Sequence, residues 1–229
     1  MQWAEQNGYT TSGTNVYEYQ KFPDSVDEID MLIVMGGPQS PDTTLEECDY
    51  FDAPSEMAFI RKCIEAGKAV VGVCLGAQLI GNALGAKYEH SPQKEIGVFP
   101  IQLTPAGLMD EKLSHFGTSL AVGHWHNDMP GLTSDCKVLA VSEGCPRQIV
   151  AYSNLVYGLQ CHMEFTSEAI EPLIAFDEKL LKRNTEYSFI QSPEEIRAFS
   201  YREMNEKLFR FLDKLVEEYV GSKSSEATD

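Results

Sequence analysis

Hydrophobic positions in this chain form short unbroken runs in its first two thirds and helical stripes toward its end. Asp30-Met-Leu-Ile-Val-Met35 is an apolar run closed by Gly36-Gly37-Pro38, and Ala69-Val-Val-Gly-Val73 is another. Continuous runs of this length, stopped by turn formers, predict strands buried on both faces. Between them Asp52-Ala-Pro-Ser55 offers a helix start, Met57, Ile60 and Ile64 keep helical spacing, and Gly67 stands where a helix would stop. Strand, helix, strand in that order predicts a βαβ unit whose right-handed crossover leaves the two strands parallel.

Helical spacing resumes at Ala77, Ile80, Ala83 and Leu84 and ends at Gly85, which places Cys74 at a strand-to-helix junction. Residues 96–103, 138–142, 148–152 and 156–160 read as strands with no helix between most of them, so an antiparallel or mixed portion is expected beside the parallel sheet. Pro100 predicts an edge position or a bulge in the first of these. Thr166 or Ser167 opens a helix toward Leu181, and Pro172 predicts that the regular helix begins late. Ser192-Pro193-Glu194-Glu195 is a capping box that predicts one longer helix, with Ile196, Phe199, Met204, Leu208, Phe211, Leu212, Leu215 and Tyr219 along a buried face. That face packs on the domain or serves a homodimer or partner. Residues 221–229 are polar and expected to be disordered. No internal repeat is visible.

Charge and cysteine content narrow the function. With 35 acidic against 18 basic residues the formal charge is -17, a field that repels phosphate backbones and anionic lipid surfaces, so neither nucleic acid nor membrane is an expected partner. No stretch approaches the ~18 uncharged apolar residues of a membrane helix. The opening residues show neither a basic leader nor an apolar run, so a cytoplasmic location is expected. The six cysteines are scattered without CxxC pairs and read as free thiols. His124 and His126 are the only close histidine pair, too little by spacing alone to predict a metal site.

Chemistry concentrates at three places. Gly72-Val73-Cys74-Leu75-Gly76-Ala77-Gln78 has the form of a nucleophile elbow, in which flanking glycines permit a sharp turn between strand and helix. The positive end of the following helix favours thiolate over thiol there. Gln160-Cys161-His162-Met163-Glu164-Phe165 supplies a base and an orienting carboxylate two residues apart, on one face of an extended segment; Cys161 then points the other way, into packing. Gly36-Gly37-Pro38, at the end of the neighbouring strand, can bring a main-chain N–H toward a developing oxyanion, beside the N–H of Leu75.

These motifs, with His124-Trp125-His126-Asn127-Asp128, resemble the class I glutamine amidotransferases over residues 30–165, particularly stand-alone members similar to the glutaminase domain of GMP synthase. The resemblance implies a flavodoxin-like three-layer α/β/α sandwich and no cofactor. It further implies a catalytic triad of Cys74, His162 and Glu164, oxyanion donors at Gly37 and Leu75, and glutamine contacts from Gln78 and from a loop holding His126 and Asp128, where Asn127 replaces the usual glycine. Family members open with a central strand, whereas this chain opens with an apparent helix over residues 1–7, so that strand is expected to be lacking. The expected organisation is an amidotransferase-like domain over residues 1–183, a C-terminal helical extension over 184–220 and a tail over 221–229. The expected activity is hydrolysis of the glutamine side-chain amide, the ammonia passing to a separate synthase subunit. A γ-glutamyl hydrolase acting on larger conjugates and a non-enzymatic regulatory protein of the same shape are the alternatives.

Overall fold

The computed structural model describes residues 2–182 and 186–226. Seven strands form one sheet in the order β1-β2-β7-β6-β5-β3-β4. β1 (Met31–Val34), β2 (Ala69–Val73) and β7 (Val156–Leu159) are parallel. β6 (Ile149–Ala151), β5 (Lys137–Val141), β3 (Glu89–Leu103) and β4 (Ser119–Met129) extend the sheet with antiparallel pairings. The expected βαβ unit is β1, α2 (Ala53–Glu65) and β2, its helix capped by the Asp52 carboxylate on Ser55 N–H and ended before Gly67 at φ 66°. Among the described residues no strand precedes β1, and α1 (Gln2–Gln6) is the first element.

Alternate side chains of the parallel strands enter different cores, as a sheet covered on both faces requires. Val70 and Val156 pack with Phe59 and Ile60 of α2 and Leu79 and Ile80 of α3 (Leu75–Ala83). Val71 and Tyr157 pack on the opposite side with Phe211 and Leu215 of the terminal helix α8 (Arg202–Glu226). α1 is tied to that helix by Trp3 Nε1–H donating to Asp213 at 2.8 Å.

Several expectations need correction. The stretch around His126–Asp128 is not a loop but the end of β4, which pairs with β3 from Glu89 to Gln102; alternation in 119–129 is broken by glycine and histidine, so no strand was legible there. Of the two readings of Pro100, the open-edge one fits and the bulge does not, since the register shift falls between His90 and Glu95. The amides of Ile96 and Val98 face away from β4, toward Phe189 and Gln191, and Pro100 shares their parity, so its missing N–H falls on the open side of the strand.

The helix expected from Thr166 to Leu181 is two, α5 (Ser167–Phe176) and α6 (Glu178–Leu181), hinged at Asp177, and Pro172 lies inside α5 rather than before it. α4 is the short Pro105–Met109. The expected single helix from Ser192 is also two: the capping box starts α7 (Pro193–Ala198), and Phe199 turns extended at ψ 142° before α8 begins. The five-residue gap between Phe199 and Met204 in the apolar stripe marks this break. α8 continues through Glu226, with Ser222 and Ser224 hydroxyls bonded to main-chain oxygens one turn back, so residues 221–226 of the expected disordered tail are helical; residues 227–229 and the boundary at 183–184 involve positions outside the described residues.

Candidate active site

Cys74 sits between β2 and α3 at φ 53° and ψ -111°, a backbone region that costs a residue with a Cβ on the order of 1–3 kcal/mol and persists only where the surroundings enforce it. They do so here. Cys74 N–H donates to Leu159 on β7 at 2.7 Å, and α3 packs so closely on β1 that a Cβ at Gly76 would lie 2.1 Å from the Val34 oxygen. As the first residue of α3, Leu75 has no acceptor for its N–H within that helix. Gly37 lies beside it, its Cβ direction 3.3 Å from Leu75 Cδ2, so the two proposed oxyanion donors are neighbours.

His162 follows β7 and is held by a reciprocal bridge to β4: its N–H donates to the Gly123 oxygen at 2.8 Å, and Gly123 N–H to the His162 oxygen at 3.2 Å. Its ring stacks on Phe165, centroids 4.2 Å apart and planes at 8°. Nδ1 lies 2.7 Å from Glu164 Oε1, while Nε2 is buried without a hydrogen-bond partner. A Cβ at Gly36 would stand 3.2 Å from Cys74 Cβ and 3.6 Å from His162 Cε1, so Cys74 and the His162 ring flank one bare glycine. Burial disfavours charge on the imidazole, but the Glu164 carboxylate and the Cys74 sulfur outweigh it and raise the His162 pKa to about 10. Both partners thus favour the protonated ring, the form that can supply a proton. Cys161 is fully buried, as packing predicts, and burial pushes its thiol up.

The expected substrate contacts are placed differently from one another. Gln78 lies one turn beyond Cys74 but is buried, its amide donating to Gln160 at 3.1 Å. His126 is buried with Nε2 3.3 Å from Glu95, and Asp128 holds His90 Nδ1 at 2.5 Å. The atom of β4 that meets Cys74 is instead the main-chain oxygen of Trp125, 3.9 Å from Sγ. Trp125 Nε1–H reaches the other way, to Asp177 at 2.7 Å.

Two further groups were not visible in sequence. Asn205 of α8 donates its side-chain amide to the oxygens of Met163 at 2.6 Å and Phe165 at 3.0 Å, the residues on either side of Glu164. Glu95, fully buried on β3, accepts from Ser142 and Gln148 at 2.7 Å each. Burial opposes its charge, yet the hydrogen bond from His126, with His124 and Ser142 beside it, holds the carboxyl below the usual range. Burial also lowers His126, and takes His124 down to about 3. Glu95, His126 and Cys145 are the set among the described residues whose donor atoms lie close enough to share a metal ion. No helix among those residues is long and apolar enough to cross a membrane.

The sequence matches the family model for class I glutamine amidotransferases over residues 5–181. It is 57% identical over 215 residues to the glutamine amidotransferase-like protein YfeJ of Salmonella typhimurium, covering 94% of this chain and 90% of that one. It is 36% identical over 142 residues to the glutamine-hydrolysing GMP synthase of Edwardsiella ictaluri, covering 59% of this chain and only 25% of the synthase. In structure it is similar to SMU.1228c, with a TM-score of 0.92 at 50% identity over 93% of this chain and 92% of that one. A glutamine amidotransferase of Thermotoga maritima has a TM-score of 0.80 at 19% identity, over 93% and 90% of the two chains, a likeness of fold. A flavodoxin-like sheet presenting Cys74 and His162 at its carboxyl edge and a family match across most of the sequence lead to one assignment: this chain belongs to the class I glutamine amidotransferases.

Proposed function

We propose that the protein is a glutaminase that hydrolyses the side-chain amide of glutamine through a thioester on Cys74. The observation that carries this reading is the strained Cys74 elbow beside a buried His162 whose Nδ1 is held by Glu164. Cys74 attacks the amide carbon as a thiolate, and the C–N bond breaks as the nitrogen takes the proton of His162 Nε2 and departs as ammonia, leaving a γ-glutamyl thioester and a neutral imidazole. Water then adds to the thioester carbon while His162 accepts its proton; the C–S bond breaks and glutamate leaves. The N–H groups of Gly37 and Leu75 serve the oxyanion in both steps, each worth roughly 3 kcal/mol.

Gln78 and the main chain of β4 from Trp125 to Asp128 form the wall expected to hold the amino-acid end of the substrate. The match to GMP synthase covers 25% of that protein, and a separate synthase subunit is the acceptor expected for the ammonia. The expected setting is cytoplasmic, in keeping with free buried thiols at Cys63, Cys145 and Cys161.

The test is release of ammonia and glutamate from glutamine by the purified protein, alongside Cys74→Ala and a panel of γ-glutamyl compounds. Release from glutamine that vanishes in the variant is the expected result. Turnover of conjugates alone would replace this reading with a γ-glutamyl hydrolase, and no turnover of either would favour a non-enzymatic role.

A further inference from the structure

We propose that Glu95, His124, His126 and Cys145 form a buried zinc site behind the Trp125 wall, distinct from the Cys74 centre. Three donor atoms from the paired strands β3 and β4 converge on one point. His126 Nε2 is 3.3 Å from Glu95 Oε2, and His124 Nδ1 is 3.6 Å from the same oxygen and 3.4 Å from His126 Nε2. Zinc bonds of ~2.0–2.1 Å to nitrogen and oxygen, arranged tetrahedrally, separate neighbouring donors by about 3.3–3.4 Å. The triangle therefore has close to the size of one face of a zinc shell.

The tautomer of His124 agrees. Its Nε2 lies 3.2 Å from the Phe99 oxygen and so carries the proton, which leaves Nδ1 as a bare lone pair facing Glu95. A main-chain acceptor on the outer ring nitrogen is the arrangement that orients metal-binding histidines. His126 turns Nε2 toward the same cluster, and metal binding would move its proton to Nδ1, which makes no hydrogen bond.

Cys145, from the turn after β5, has its sulfur within 4.8 Å of the Glu95 and His126 donor atoms, a group that does not include His124; as fourth donor the sulfur would draw in toward His124 on binding. A carboxylate, two imidazoles and a thiol that ionises on binding suit zinc rather than magnesium or calcium. The Gln148 amide nitrogen now spans Glu95 Oε2 at 2.7 Å and His126 Nε2 at 3.2 Å, while its oxygen has no partner. Turning the amide over removes its hydrogens from the cluster and directs the unpartnered oxygen inward. All four zinc ligands are buried, and none is within metal-motif spacing of a partner except the two histidines, which is why spacing alone predicted no site.

Such an ion would join β3, β4 and the turn after β5. Strand alternation puts Trp125, between the two histidines, on the other face of β4, so the ion would stiffen the segment that faces Cys74.

Metal content of the full-length protein, desalted after exposure to zinc, tests the proposal without relying on activity. The expected result is about one zinc ion per chain, retained in Cys74→Ala and lost in His126→Gln, with a melting temperature that drops on chelation and recovers on adding zinc. Cobalt substitution should give a thiolate-to-metal band that disappears in Cys145→Ser. Wild-type protein holding less than roughly one zinc per ten chains would overturn the site, as would zinc that is lost in Cys74→Ala, because the ion would then belong to the Cys74–His162 pair. A cobalt protein without the thiolate band would overturn the four-donor set.

Discussion

Nδ1 of His162 lies 2.7 Å from Oε1 of Glu164, a pairing made in the irregular segment after β7 rather than along a strand. Burial alone would lower the imidazole pKa, and Glu164 is the largest of the effects that instead carry it to about 10. A folded pKa above the unfolded value near 6.5 contributes stability that is complete below about pH 6.5 and is lost as the pH rises through 10. Glu164→Gln should flatten that loss. Urea midpoints measured from pH 6 to pH 10 check this: the wild-type midpoint is expected to fall further across the window, and parallel falls would mean that Glu164 does not hold the proton.

The strain at Cys74 yields a second expectation. Its φ of 53° suits glycine, so Cys74→Gly should be no less stable than Cys74→Ala, although glycine ordinarily costs ~0.5–1 kcal/mol against alanine. Both variants should lack turnover. Melting temperatures of the two side by side decide the point, and a clearly lower value for the glycine variant would show that the elbow is not strained.

What could be read from sequence was what is local. Glycines flanking Cys74, the two-residue step from His162 to Glu164 and the capping box at Ser192 each announce themselves within a few residues; the elbow and the capping box start helices as expected, while His162 and Glu164 meet in an irregular segment rather than an extended one. The start of α7 was legible, but its end was not, because Phe199 leaves the helix to let Tyr201 bond its hydroxyl to the Ile196 oxygen, a tertiary arrangement. Glu95 and Asn205 gave no signal, and the motif that holds Trp125 did not show its main-chain oxygen meeting Cys74. Their partners lie on other elements, Asn205 meeting Met163 across 42 positions, and only the pairing of β3 with β4 and the docking of α8 bring them in.

Glu56, in the first turns of α2, has its carboxyl pushed up to about 7 by burial. An acid raised in the folded state favours the neutral form, so stability is present at low pH and is lost as pH rises from about 4.5 through 7. Glu56→Gln should match wild type at pH 4 and exceed it at pH 8 by about 1–3 kcal/mol. Denaturant unfolding at both pH values checks it, and an equal difference at pH 4 and pH 8 would assign the effect to packing instead.

Asn205 tests whether the terminal helix supports the segment that holds Glu164. Its amide satisfies the main-chain oxygens flanking Glu164, so Asn205→Ala should cost about 1–3 kcal/mol by stranding them. A shift of the Glu164 carboxylate should lower kcat about tenfold or more with little change in KM, since the substrate is held by other groups. Asn205→Asp keeps the shape but turns a carboxylate oxygen toward two carbonyl oxygens, and should be worse than alanine in both respects. Steady-state glutaminase kinetics with thermal melts of the three proteins give the order; an aspartate variant as active as wild type would show that α8 does not position Glu164.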